Sequence, residues 1–287
     1  MKCESNFLAC GLIMFVSIFV SSPAQGQGAT MADGEYSKNV GRKLSIGLGF
    51  GYERFDTNFK FTNKSSGRSV YVDAESTLGL PDAQSVPMLY GYWRPSEKHW
   101  IGFSFFKIDR EATLFAVDEN LGDLTLTGKA TLSDKTRFYY VSYNYTAYQD
   151  SRSFVLLSLG LYGLDLRYRL DATGNISYQG VPVASGQYSR EVSQFAPLPL
   201  IGIDAWFAFT PKWAIGTKVS FVGGQYEDIS AAIVETRVRA KYSFNQNLGQ
   251  YFGINYFQGE IDINEDNQRT EISYGFNGVI AGLDVGF

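Results

Sequence analysis

The chain has 287 residues, of which 45% are hydrophobic and only 19% charged, and its net charge is −4. That acidity argues against nucleic acid as a partner, because backbone binding needs a basic surface. Both cysteines, Cys3 and Cys10, fall in the first ten residues, so a chain that loses this segment has no thiol for disulfides, thiolate catalysis or Cys-ligated zinc.

The first segment reads as a secretory signal peptide over residues 1–24. Lys2 supplies a weak positive start, Phe7 to Val20 is apolar apart from Ser17, and Ser22-Pro23-Ala24 offers small residues for cleavage before Gln25. A membrane anchor would need a longer run and stop-transfer charges. Cys10 precedes most of the apolar run, which rules out a lipoprotein site. Removing Lys2 and Glu4 together leaves the net charge unchanged. Residues 25–42 form a polar, Gly-containing lead-in, expected to be flexible.

Beyond it, no apolar run reaches the roughly 20 residues a membrane helix needs. The 19 Tyr, 22 Phe and 30 Gly suit strands and suit helices poorly. The cleanest periodicity starts at Leu44: Leu44, Ile46, Leu48, Phe50 and Tyr52 alternate with Ser45, Gly47, Gly49 and Gly51. On a strand the large residues share one face and the other face is nearly bare, as a tight lumen requires. The same period of two recurs around Met88, Phe103, Val141, Leu157, Ile203, Ile215, Val238, Ile254 and Leu283. A bulge is expected near Tyr162 in the long apolar strand that runs to Leu170.

Short turns are predicted at residues 95–98, 149–152, 210–212 and 245–249. Longer or more polar connections are predicted at 62–84, 118–122, 172–187, 223–228 and 264–268. Short turns at one end and long loops at the other, with about ten strands (eight if two weak segments are misread), define an all-β, transmembrane antiparallel up-and-down barrel over residues 43–287. The short turns then face the periplasm. Trp93, Trp100, Trp206 and Trp213 flank two of those turns and are expected to form an interfacial aromatic girdle there. Residues 70–81 mix alternation with an apolar Leu78-Gly79-Leu80, which leaves two options open: a hairpin extension of the first strand pair, or a segment folded over the barrel mouth.

The C-terminal residues Gly282, Leu283, Val285 and Phe287 resemble the terminal assembly signal of outer-membrane proteins, with Val285 in place of the more usual aromatic. With the signal peptide and the strand pattern, the chain resembles small Gram-negative outer-membrane barrels of the OmpA-like and OmpW-like kind. That resemblance implies an integral outer-membrane location, contact with outer-membrane lipid, and insertion by the outer-membrane assembly machinery. It carries over no catalytic residues.

Enzymes among small barrels resemble one another in relying on a histidine. The chain has one, His99, beside a predicted periplasmic turn, so no Ser-His-acid set can be assembled and a non-enzymatic protein with a structural, surface-interaction or narrow-uptake role is expected. The acidic run Glu260 to Asn267 lacks the Gly-hinged pattern of a calcium loop; no metal or other cofactor is expected. The remaining chemistry lies in Glu235, Arg237, Arg239 and Lys241, four charges at alternate positions of one strand. Lipid exposure of Arg or Lys near the midplane costs about 2–4 kcal/mol each, so this row should face inward. Asp109, Asp165 and Asp204 are expected partners, with Lys107, Arg167 and Lys218 also inside. The row reads either as part of an ion-paired plug or as the lining of a small-solute channel with a basic lumen.

Overall fold

A computed structural model describes residues 42–287 apart from 68, 122, 123, 179 and 180. The expected signal peptide and nearly all of the lead-in lie outside the described residues. Eleven strands follow one another: β1 (Leu44–Asn63), β2 (Ser69–Asp73), β3 (Ala83–Ser96), β4 (His99–Leu121), β5 (Leu124–Gln149), β6 (Ser153–Tyr178), β7 (Val181–Ala208), β8 (Trp213–Tyr226), β9 (Ile229–Ser243), β10 (Leu248–Asn264) and β11 (Gln268–Gly286). Each is antiparallel to its neighbour, and β11 pairs back onto β1 from Ser45↔Gly286 to Asn63↔Gln268, so ten strands close a barrel. The closure also joins the C-terminus to the first strand, since Leu44 N donates to Phe287 O at 3.0 Å and Phe287 N donates to Leu44 O at 2.8 Å. The eleventh strand, β2, is the expected hairpin extension: it pairs with β1 from Asn58↔Asp73 to Thr62↔Ser69.

The alternation of large and small residues sets which face looks where. Ile46, Leu48, Phe50 and Tyr52 stand outside, with Phe50 58% exposed, while Ser45 and the intervening glycines line the lumen. The bare face is needed. A Cβ on Gly49 would lie 2.5 Å from the Tyr251 hydroxyl, and one on Gly282 would lie 2.6 Å from the Tyr251 ring. Outward apolar positions continue around the wall through Val141, Leu159, Ile203, Ile254 and Val279. On β1 the belt spans Leu44 to Tyr52, about 27 Å along the strand at ~3.3 Å per residue, or about 20 Å along the axis at a tilt of ~40°. That matches the hydrocarbon layer of a thin membrane. Above it, outward positions switch to Arg54, Lys107, Asp109, Arg137, Asp165 and Arg167.

All four predicted short turns are present, as residues 97–98, 150–152, 209–212 and 244–247. The other end differs from expectation. Residues 172–187 were expected as a loop, yet β6 and β7 stay paired up to Tyr178↔Val181, and β4 and β5 up to Leu121↔Leu124. Backbone hydrogen bonding continues where the residues turn polar, because a strand above the belt has water on its outer face and still satisfies its own amides. Nor does a bulge occur at Tyr162: the β5–β6 register runs unbroken from Thr146↔Leu156 through Tyr140↔Tyr162, and the shift lies between Thr146 and Tyr148.

The wall is paired on both sides only up to a point. The β3–β4 ladder ends at Met88↔Phe106 and the β7–β8 ladder at Leu200↔Val222. Pro87, and Pro197 with Pro199, stand just past those ends; a proline has no N–H to give a neighbouring strand. Strands β4–β7 therefore rise as a four-stranded wall of their own.

Candidate functional site

The lumen is built in three layers. The middle one is apolar. Phe106 stacks on Phe138 at 4.3 Å between ring centroids, and Phe257 on Phe276 at 4.5 Å. Phe138 meets Phe257 edge-on at 5.5 Å, which joins the two stacks across the barrel. Leu164, Leu198, Leu200 and Ile233 complete this buried layer. On β4–β6 this layer lies where the outer belt ends, since the outward neighbours of Phe106, Phe138 and Leu164 on the far side from the short turns are Lys107, Arg137 and Asp165.

Above it lies a charged network centred on Arg110, whose side chain is wholly buried. Arg110 donates through Nε and Nη2 to Asp134 Oδ2 at 3.1 and 2.8 Å, through Nη2 to Thr57 Oγ1 at 2.9 Å, and through Nη1 to Glu75. Its guanidinium also lies 4.3 Å from the Phe55 ring centroid. Glu75 belongs to the connection between β2 and β3, and its carboxylate additionally accepts from Thr57 N at 2.8 Å. Ala74 and Leu80 of the same connection are buried, so residues 74–80 fold into the barrel mouth. Both options left open for residues 70–81 are thus realised, by successive parts of the segment. Sequence reading missed Arg110, Asp134, Thr57 and Glu75. The signal for two of them was present: Arg110 shares the inward parity of Phe106 and Ile108, and Asp134 that of Thr136 and Phe138.

Below the aromatic layer, toward the short turns, the charged row of β9 faces inward. Arg237 pairs with Glu235 and donates to Asn255 Oδ1 at 3.3 Å. Arg239 pairs with Asp204 at 3.2 Å, and Lys241 with Asp284 at 2.9 Å. Asp284, which sequence reading also missed, holds Arg42 at 2.8 Å as well. Lys218 faces inward, directly across the ladder from Asp204. Other expected lumen residues lie elsewhere. Lys107, Asp109 and Arg167 are on the outer face, and so is Asp165, held between Arg137 at 3.5 Å and Arg167 at 3.1 Å. The inward expectation assumed lipid outside, but these four positions are above the belt, where water receives the charge.

The tryptophans divide in the same way. Trp93 is 54% exposed and Trp213 packs against Tyr242 on the outer surface, in keeping with a girdle. Trp100 is 2% exposed and Trp206 lines the lumen, so these two correct the expectation. Strand parity decides it: each stands next to outward residues, Ile101 and Ala205, and must point the other way. Trp100 packs against Tyr92 and Phe154 at the short-turn end of the lumen, with centroid distances of 4.9 and 5.2 Å.

His99 stands on the outer face at that end, its Nδ1 2.6 Å from the Tyr143 hydroxyl. In the acidic run, Asp262 is paired with Arg269, and Glu260 accepts from Ser273 Oγ at 3.0 Å. Among the described residues, no group of three or more His, Cys, Asp or Glu is placed to hold a metal ion.

Between the aromatic layer and the short-turn end lies a cavity of about 140 Å³. Small residues make the room: Gly102, Ser142 and Ser158 form one wall, while Lys218, Arg237 and Arg239 project from the other.

No protein-family model and no curated protein matches the chain. Solved structures do. The outer membrane protease OmpT from Escherichia coli is similar with a TM-score of 0.57 and 12% identity, covering 85% of this chain and 96% of that one. Outer membrane protein OprG from Pseudomonas aeruginosa aligns over 86% of this chain and 97% of its own, with a TM-score of 0.36 and 8% identity. At such identities the likeness concerns the fold alone. A closed, ten-stranded antiparallel barrel with an apolar outer belt is the fold of the small Gram-negative outer-membrane β-barrels, and the chain has it.

Proposed function

We propose that this is an integral outer-membrane protein whose barrel is closed and non-enzymatic, with a structural or surface-interaction role. The observation that carries the reading is the double closure of the lumen. A packed aromatic layer fills the middle, and residues 74–80 are tied into the mouth through Glu75 and Arg110. Lumens of barrels this narrow are filled by side chains. In this reading residues 1–24 direct export and are removed, the β11 terminus at Phe287 is recognised by the assembly machinery, and the belt meets outer-membrane lipid. The absence of an enzyme is supported by His99, which stands outside the barrel, away from any inward carboxylate. The tall β4–β7 wall and the β1–β2 hairpin supply the surface that would meet partners.

A second reading, a small-solute channel, is favoured by the basic row beside the cavity. Planar-bilayer recordings of the refolded protein decide between them. Silence from protein shown to be folded is the expected result. Discrete steps whose ion selectivity changes in an Arg237→Ala/Arg239→Ala variant would refute closure and install the channel.

A further inference from the structure

The cavity below the aromatic layer is lined by a cation that differs from its neighbours. Each of the other lumen cations described above has a carboxylate partner. Asp284 serves Arg42 and Lys241, Asp204 serves Arg239, and Glu235 serves Arg237. Lys218 is the exception. Its residue is 9% exposed, and among the described residues no carboxylate oxygen lies within ion-pair distance of its ammonium. Asp204 faces it across the ladder and attracts its charge from beyond ion-pair distance: the Asp204 Oδ2 oxygen is engaged by Arg239 at 3.2 Å, and its Oδ1 oxygen is buried without a hydrogen-bond partner. What Lys218 does touch is the face of Tyr140, with Nζ 3.7 Å from the ring centroid. A cation–π contact offsets part of the desolvation of an ammonium, and with Asp204 beyond ion-pair distance the charge is only partly compensated.

The side chain is also aimed into space made for something. Lys218 and Tyr140 line the cavity of about 140 Å³, and so does Ser158, whose Oγ is buried without a hydrogen-bond partner. The rest of the wall is mixed: Leu156, Phe154 and the rings of Trp100 and Trp206 are apolar or aromatic, while Arg239 with Asp204 and Lys241 with Asp284 line it as ion pairs. A buried cation without a direct ion pair and an unsatisfied hydroxyl, set beside aromatic and apolar side chains, is a composition that suits a small-molecule pocket.

We infer that this cavity binds a small carboxylate with a compact apolar body, its carboxylate on the Lys218 ammonium and within reach of the Ser158 hydroxyl. The ligand supplies the direct ion-pair partner that Lys218 lacks among the described residues. The volume admits a single ring or a short branched chain, and excludes a lipid acyl chain. Conduction is not needed, since a barrel closed above the cavity can still exchange ligand through its short-turn end.

Trp100 and Trp206 line the cavity, so intrinsic fluorescence of the refolded barrel in neutral detergent reports occupancy. Titration with sodium benzoate at constant ionic strength is compared with benzamide, which has the same ring without the charge, and with acetate, which has the charge without the ring. A saturable response to benzoate is expected, with both comparators at least about tenfold weaker. Lys218→Met should weaken benzoate by about tenfold or more, and Lys218→Arg should retain it within a few-fold. The inference is overturned by an unsaturable response in the wild-type protein, by benzamide binding as tightly as benzoate, or by full retention in folded Lys218→Met. Acetate binding as tightly as benzoate overturns the apolar body and reduces the site to one for any small anion. Heat-dependent gel mobility reports folding of each variant, and if Lys218→Met fails to fold, the benzoate–benzamide comparison on wild type decides. Benzoate binding to a silent barrel keeps both readings, whereas a conducting barrel without benzoate binding loses both.

Discussion

Replacing Arg110 by Met tests the capped mouth directly. The substitution keeps an unbranched apolar stem and removes the guanidinium, which makes hydrogen bonds to Asp134, Thr57 and Glu75. Hydrogen bonds to charged groups contribute about 1.5–3 kcal/mol each, but bonds sharing one guanidinium do not add. The larger effect is what stays behind. Asp134 is 0% exposed and would lose its only ion-pair partner among the described residues, and breaking a buried pair by removing one member costs about 3–5 kcal/mol. Glu75, at the barrel mouth, can turn to water and adds little. The expected loss is therefore about 3–5 kcal/mol, read as a lower urea midpoint with an unchanged slope in tryptophan-monitored unfolding from vesicles. Arg110→Met/Asp134→Leu should recover most of it, because no unpaired charge remains. A single-variant loss below about 1 kcal/mol, or a double variant as unstable as the sum, would refute the reasoning.

Three further perturbations address other parts of the barrel. Gly282→Val places a Cβ against the Tyr251 ring and 2.7 Å from the Leu48 carbonyl oxygen and should cost about 1–3 kcal/mol in the same unfolding assay, with Tyr251→Ala relieving only the part due to the ring. Leu159, 62% exposed in the outer belt, should lose about 2–4 kcal/mol as Leu159→Arg, while Arg137→Leu just above the belt should shift stability by less than about 1 kcal/mol. Thr173 pairs with Gln187 in the tall β6–β7 hairpin, so replacing residues 174–186 by an Asn-Gly turn should leave heat-dependent gel mobility and the urea midpoint intact; loss of folding would mean that the hairpin tip supports the barrel.

Much of the fold was legible because a membrane barrel writes a period of two into its strands. Leu44 to Tyr52 shows it plainly: lipid on one side asks for large apolar residues, and Tyr251 packed against Gly49 and Gly282 on the other asks for none. The same rule put Arg237, Arg239 and Lys241 inside. It misled where its premise lapsed. Lys107, Asp109, Asp165 and Arg167 keep the outward parity but have left the belt, and nothing in their local sequence marks the height at which lipid gives way to water. Trp100 and Trp206 leave the girdle for a different reason: their parity, opposite to that of Ile101 and Ala205, outranks their proximity to a turn.

The sequence by itself determined the class, the approximate number of strands, the short turns and the face of nearly every belt residue, because these follow from neighbours one or two positions apart. Tertiary structure alone decided how the lumen is filled. Arg110 meets Thr57, Glu75 and Asp134 across separations of 53, 35 and 24 residues, and the aromatic layer joins β4, β5, β10 and β11. The cavity at Lys218 likewise exists only because the small residues of β4–β6 come to face β8 and β9 when the sheet closes. Closure sets which inward side chains share a height, and that depends on strand stagger around the whole ring, a quantity no local pattern carries.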